Sequence, residues 1–428
     1  MVIFMIFAIF VIITASMVFK KIPALFALPL MAVLIAIVSG IPFANSTADD
    51  GTVIVGWQQL IFAEGPSRLA ATMMTMIFAS ILGQLVKNVG IAETLIKKVS
   101  ELAGDRPLIL CLLMTLILAS LFTTLSGLGS FILVGNIALP ILISVGITPL
   151  MAATMFILSL NLGGIFNTVN WAVYRDVLGM SLPELRQYSL ILGPVMAVST
   201  LAFILTEFKR NKIAWQAPSE PATPNGEPTR VSILALLTPI VPLILIMAFT
   251  LDMNFSLIIG ILYGLFSTIN RDSMKTLTKS VIDGVTQVAA ALFLMIGIGM
   301  LLKVVMDPRV TAHISGAISS VLPTGPIQYL LFFAILAPLA LYRGPLNVWG
   351  LGLGLVALIA GTRKLPTPAI MAAFWTTGMI QGLDPTNTQN VWTASATGVD
   401  VNDILKKGII FIWLGVIIAL AIAGFKYF

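Results

Sequence analysis

The sequence predicts an all-α integral membrane protein of two inverted repeats, each with about five transmembrane helices, a re-entrant hairpin and an interfacial helix. Three observations lead there. The 428 residues are 58% hydrophobic and only 10% charged, far from the balance of a soluble domain. Several apolar runs reach the roughly 20 residues that a helix needs to cross hydrocarbon. Finally, Asn167-Thr168-Val169-Asn170 recurs as Asn387-Thr388-Gln389-Asn390, an offset of 387 − 167 = 220 residues, and each copy interrupts an apolar run.

Composition removes several other classes. Cys111 is the only cysteine and His313 the only histidine, so an intrachain disulfide, a cysteine metal site and a histidine relay are excluded by count. The formal charge of +6 reads as cytoplasmic-loop lysine and arginine, with no nucleic-acid partner implied. The glycine run at 350–355 has no phosphate-loop lysine and follows no strand, so it reads as close backbone packing and not as a nucleotide site. No nucleophile–base pair suggests an enzyme. Met1–Met17 lacks a basic leader and a cleavage pattern and reads as a retained first helix.

In chain order, Val2–Phe19 and Ile22–Gly40 are two spans joined by Lys20-Lys21. A polar stretch with Asp49, Asp50 and Glu64 precedes a third span, Leu69–Val86. Ile91–Leu102 carries Glu93, Lys97, Lys98 and Glu101 on one side, the pattern of an interfacial helix. Leu108–Phe122 and Phe131–Val145 flank a small Gly/Ser/Thr tip, the signature of a re-entrant hairpin. Leu150–Trp171 is a span broken at Gly163-Gly164, and Ser181-Leu182-Pro183-Glu184 is a capping-box start for a helix to about Glu207. The Pro-, Glu- and Thr-rich segment after it is a cytoplasmic linker.

The second half repeats the order. Spans at Ile233–Leu251 and Phe255–Ile269 are followed by a charged loop with Arg271, Asp272, Lys275 and Lys279, and then by a span at Val285–Val304. Asp307–Val321 is the second interfacial helix, and Gln328–Leu341 and Val348–Ala360 flank the tip Tyr342–Asn347. A broken span through Asp384–Asn390 and a final helix capped at Asp400 complete it. The domain boundaries are therefore 1–208 for the first repeat, 209–230 for the linker and 231–428 for the second repeat. Five crossings are an odd number, so the second copy enters the membrane inverted. Lys20-Lys21, Lys97-Lys98, Lys209-Arg210-Lys212 and Arg271/Lys275/Lys279 then share the cytoplasmic side, while Arg175, Arg186 and Arg363-Lys364 are exceptions on the outer side.

Inverted repeats with helices broken near the midplane are the mark of secondary transporters. The two Asn-Thr-x-Asn segments bring hard oxygen ligands without net charge, which suits a weakly held monovalent cation, with Na⁺ at Asn167 and Asn387. Thr168, Thr388 and the intramembrane carboxylate Asp384 complete the expected cation set. Arg343, alone in the second tip, reads as a buried fork for a carboxylate, or else as an ion-pair partner of Asp384. Asn170 and Asn390 are assigned to the substrate side. The rival reading is a Na⁺/H⁺ antiporter in which Asp384 exchanges the ions and Arg343 is structural.

The order interfacial helix, Ala103-Gly104-Asp105-Arg106-Pro107, apolar run, Gly/Ser tip and Asn-rich broken span resembles the ion transporter superfamily. Residues 104–131 and the span after them resemble its citrate–metal permease branch, and 169–185 is similar in layout to the gluconate permease pattern. The chain departs from both in detail: the tip is TTLSGLG where the first branch has an acidic one, and Asn170-Trp171-Ala172 stands where the second has Asn-Asp-Ser. The resemblance implies symport of small carboxylates with Na⁺ or H⁺ and elevator-type movement of the hairpin-bearing part. It also implies a homodimer among the lipids of the cell inner membrane. It adds Ser126, Gly127 and Asn347 to Arg343 and the two Asn-Thr-x-Asn segments as binding elements.

Overall fold

Proline, glycine and capping side chains set most of the element boundaries. The computed structural model describes residues 2–18, 21–47, 49–104, 106–211 and 231–428, and among them all regular structure except one short hairpin is helical. α1 (Val2–Val18) and α2 (Ala24–Val38) are followed by that hairpin, β1 (Ser46–Thr47) with β2 (Val53–Ile54). A π-helical turn (Gln59–Glu64) and α3 (Gly65–Ser67) run into α4 (Ala70–Asn88), making one helix over Gln59–Asn88. α5 (Ile91–Ala103) leads to α6 (Pro107–Phe122) and α7 (Leu128–Ser144), the two arms of the first hairpin. α8 (Pro149–Ile165) and α9 (Thr168–Leu178) meet at 49°, and α10 (Leu182–Asn211) ends the half.

The second half opens with a 3-10 turn (Leu234–Leu237), α11 (Val241–Phe249), α12 (Met253–Ser267), α13 (Ser273–Val305) and α14 (Pro308–Val321). α15 (Pro326–Leu336) tightens into a 3-10 turn at Ala337–Ala340. Beyond the tip, a π-helical turn at Val348–Gly352 opens α16 (Leu353–Gly361). α17 (Thr367–Gln381), α18 (Thr388–Thr397) and α19 (Val401–Tyr427) follow. The caps are those the sequence predicts. The Ser181 amide donates to the Glu184 carboxylate at 2.8 Å, and Asp400 Oδ1 accepts from the Asn402 amide at 2.7 Å.

The order of elements therefore recurs, and so does the packing between the halves. α2 packs on α13 as α12 packs on α4; α7 on α18 as α16 on α9; α8 on α19 as α17 on α10. Where α4 crosses α13 the backbones approach through small residues. Ser80 Oγ donates to the Gly284 carbonyl at 2.9 Å, and a Cβ at Gly284 would lie 3.0 Å from the Ile81 backbone.

Four helices are long and apolar enough to cross a membrane, Gln59–Asn88, Leu182–Asn211, Ser273–Val305 and Val401–Tyr427, or six if two bent pairs each count as one span. α1, α2 and α12 are apolar but shorter than a full crossing, so this measure gives fewer spans than the five per half expected from sequence. Large apolar side chains such as Phe4, Leu116, Ile335 and Phe425 are exposed on these helices, as a lipid-facing surface requires.

Several boundaries differ from the sequence reading. The first broken span is helical through Gly163-Gly164, breaks at Phe166-Asn167 and runs on to Leu178 instead of ending at Trp171. α13 starts at Ser273 instead of Val285, so Lys275 and Lys279 are helical and not in a loop. At 33 residues it is about 50 Å long against a hydrocarbon core of about 30 Å, and its charged end falls outside. The third span likewise begins before Leu69, at Gln59, and Glu64 within the added stretch is paired with Lys303 at 2.7 Å. α10 continues to Asn211, which makes the first linker residues helical; residues 212–230, like Lys20, lie outside the described residues.

Candidate functional site

The two breaks are built alike. Asn167 caps α9 by accepting from the Val169 amide at 3.0 Å, and its Nδ2 donates to the carbonyl of Phe122, the last residue of α6, at 2.9 Å. That second bond fastens the first break to the first hairpin tip. Asn170 Nδ2 donates to the Gly164 carbonyl at 2.7 Å. In the other half Asn390 Nδ2 donates to the carbonyls of Asp384 and Gly382, both at 2.9 Å, and Asn387 Nδ2 to the Gln381 carbonyl at 3.0 Å. Gly164 and Asp384 keep the same offset as Asn170 and Asn390, so one hydrogen bond occurs in both copies. In each case the side-chain amide is a second donor to a carbonyl that also accepts a backbone amide, from Asn167 at 3.3 Å in the first copy and from Asn387 at 3.0 Å in the second.

Asp384 is fully buried. Its Oδ1 accepts from the amide and the hydroxyl of Thr386, both at 2.8 Å. Its Oδ2 accepts from the Arg343 amide at 2.9 Å and from Asn347 Nδ2 at 3.4 Å. Among the described residues no basic side chain is within ion-pair distance of it. Neutral donors alone therefore surround a buried carboxylate.

Arg343 departs from the expectation of a buried fork. It is exposed, and its backbone instead of its guanidinium meets Asp384. The cause is local: Tyr342 and Arg343 are both left-handed, with φ of 54° and 55°, a rare conformation for side-chain-bearing residues. That turn points the Arg343 amide at Asp384, and Arg343 is among the residues that line a cavity of about 430 Å³.

The cavity lies where the tips and breaks converge. The first half contributes Ser126, Gly127, Asn167 and Asn170, and the second contributes Arg343, Asn347, Asn387, Thr388 and Asn390. Thr168 and Asp384 do not line it; both are buried behind it. Trp171 of α9 and Trp392 of α18 are not lining residues either: Trp171 Nε1 donates to the Ile165 carbonyl at 2.7 Å, and Trp392 packs on Phe131 with centroids 5.6 Å apart. Three buried oxygens at the site have no hydrogen-bond partner: Thr168 Oγ1, Asn347 Oδ1 and Asn390 Oδ1.

Of the other lining residues, the sequence placed Asn161 beside the first break but gave it no binding role, and it did not single out Gln381 or Gln287. Asn161 and Gln381 stand one offset apart, a signal that the repeat already contained. Asn161 lies against Gly382 and donates to the Met379 carbonyl at 3.3 Å, while Gln381 Oε1 accepts from the Val348 amide at 3.0 Å and so holds the second hairpin. Gln287 of α13 had no such signal. It abuts Gly127 and Gly129, and with its amide oxygen turned toward the tip it accepts from the amides of Gly129 and Ser130 at 2.7 and 2.9 Å.

The fold is shared with a solved membrane transporter. The chain is similar to the solved YdaH transporter of Alcanivorax borkumensis, a structure said to reveal an unusual topology, with a TM-score of 0.63 over 94% of this chain and 97% of that one. The sequence identity is 11%, so the likeness is one of fold. No family model and no curated protein matches the chain.

Proposed function

We propose that the protein is a cation-coupled secondary transporter of a small organic anion in the cell inner membrane, with Na⁺ and not H⁺ as the coupling ion. The observation that carries this reading is one cavity that takes a hairpin tip and a helix break from each half and is lined by a single charged side chain, Arg343. Half-helix ends and unwound backbone at such breaks are what secondary transporters use to hold anions and Na⁺. Arg343 supplies the anion contact. For the cation, Asp384 supplies charge without a basic partner, and Asn347 Oδ1 and Asn390 Oδ1 supply oxygens without donors. Antiport with Asp384 as the exchanging carboxylate fits less well, because it gives Arg343 and the cavity beside it no ligand.

The wider reading goes with it. Residues 1–208 and 231–428 form two inverted repeats joined by a linker, and the exchange-matched packing of their helices supports a two-fold relation. The resemblance to the ion transporter superfamily adds elevator-type movement and a homodimer. Thermal unfolding of the purified protein tests the ion. NaCl in place of KCl should raise the midpoint, and a ligand at a hundred times its Kd stabilises by about 2.7 kcal/mol. Asp384→Asn should lose the Na⁺ increment. Equal midpoints in the two salts would remove Na⁺ from the proposal.

A further inference from the structure

We infer that the anion is a monocarboxylate carrying an aromatic or similarly flat apolar body, a conclusion that rests on the transport reading above. Two features of the cavity point there. The first is its charge. Arg343 is the one charged side chain among the lining residues, and the remaining polar groups are neutral amides, hydroxyls and the Tyr174 phenol. A coupling Na⁺ does not alter this balance, since its charge is matched by Asp384 behind the wall. A second carboxylate would find no guanidinium or ammonium, and an unpaired charge out of water is costly.

The second feature is the wall. Phe122 and Phe131, on either side of the first tip, have centroids 5.7 Å apart. Tyr174 of α9 stacks on Trp375 of α17 at 5.0 Å and 21°, and the half-buried Trp349 lines the cavity beside the second tip. Phe122, Phe131, Tyr174 and Trp375 are buried against their neighbours, so the half-buried Trp349 offers the ring against which a flat ligand can be placed. One guanidinium among lining residues that include several aromatic side chains thus suits a ligand with a charged end and an apolar end. Acetate would fill little of about 430 Å³, and succinate or citrate would bring charge where the wall offers rings.

Binding of phenylacetate, acetate, succinate and citrate to the purified protein in NaCl tests this, by isothermal titration and by competition for uptake into vesicles. The expected result is at least about tenfold tighter binding of phenylacetate than of the other three, equivalent to about 1.4 kcal/mol. Trp349→Leu, a change at the half-buried rim, should lower the phenylacetate-to-acetate ratio without abolishing acetate binding. The ratio is read within one preparation, so partial misfolding does not mimic it. Tighter binding of succinate or citrate, still dependent on Arg343, would overturn the inference and leave organic-anion transport standing. Binding of none of the four, by either method, would count against both.

Discussion

Arg343 and Asp384 work through different atoms, and that separation can be tested one residue at a time. The Arg343 guanidinium makes no ion pair among the described residues, so Arg343→Lys should leave the midpoint of the anion-free protein unchanged. Anion affinity should fall about tenfold or more, because an ammonium cannot replace a two-point fork. If the Arg343→Lys variant binds anion as the parent does, the clamp is removed from the account. Asn390 and Asn170 offer a second comparison. Asn390→Ala strips a donor from two carbonyls, whereas Asn170→Ala strips one from a single carbonyl. The Asp384 and Gly164 carbonyls keep a backbone donor while the Gly382 carbonyl loses its one donor, so at about 1–3 kcal/mol for a buried group left unpaired Asn390→Ala should be the more destabilising change by chemical denaturation. The polar residues themselves were legible in the sequence, since nothing else explains Asp384 and paired asparagines inside apolar runs. Their bonding was not. It depends on two left-handed residues in the second tip, which the letters Tyr342-Arg343 do not announce.

At the scale of elements, the breaks and tips are held by contacts that double substitutions can separate. A Cβ at Gly382 would strike the Asn161 side chain, so Gly382→Ala should cost about 1 kcal/mol and Asn161→Ala should recover most of it. Additive losses in that cycle would show that the two sites do not touch. Gln287 holds the first tip against α13. Gln287→Ala should therefore speed maleimide labelling of a Ser126→Cys probe severalfold, over the background of the buried native Cys111. An unchanged rate would mean that the tip is fixed by its own hairpin. Helix ends marked by Ser181, Asp400 and proline were readable because a cap acts locally. The start of α13 was not, because hydropathy detects only the part of a helix that lies in hydrocarbon, and its charged end reads as loop.

For the whole molecule, the expectation of a two-part plan rests on the repeat offset, since matched polar breaks in an apolar chain imply matched architecture. How the halves interlock was out of reach of the sequence, because exchange packing such as α2 on α13 and α12 on α4 depends on contacts between segments far apart in the chain. The account's central claim is that this joint cavity couples an organic anion to Na⁺. The most direct measurement is uptake of radiolabelled phenylacetate, succinate and citrate into vesicles containing the purified protein, with Na⁺ and pH gradients imposed separately, for the parent and for Asp384→Asn. The account predicts that at least one of these anions accumulates under an inward Na⁺ gradient at constant pH, and that Asp384→Asn loses this drive. Accumulation driven by the pH gradient alone, indifferent to Na⁺ and abolished in Asp384→Asn, would contradict it.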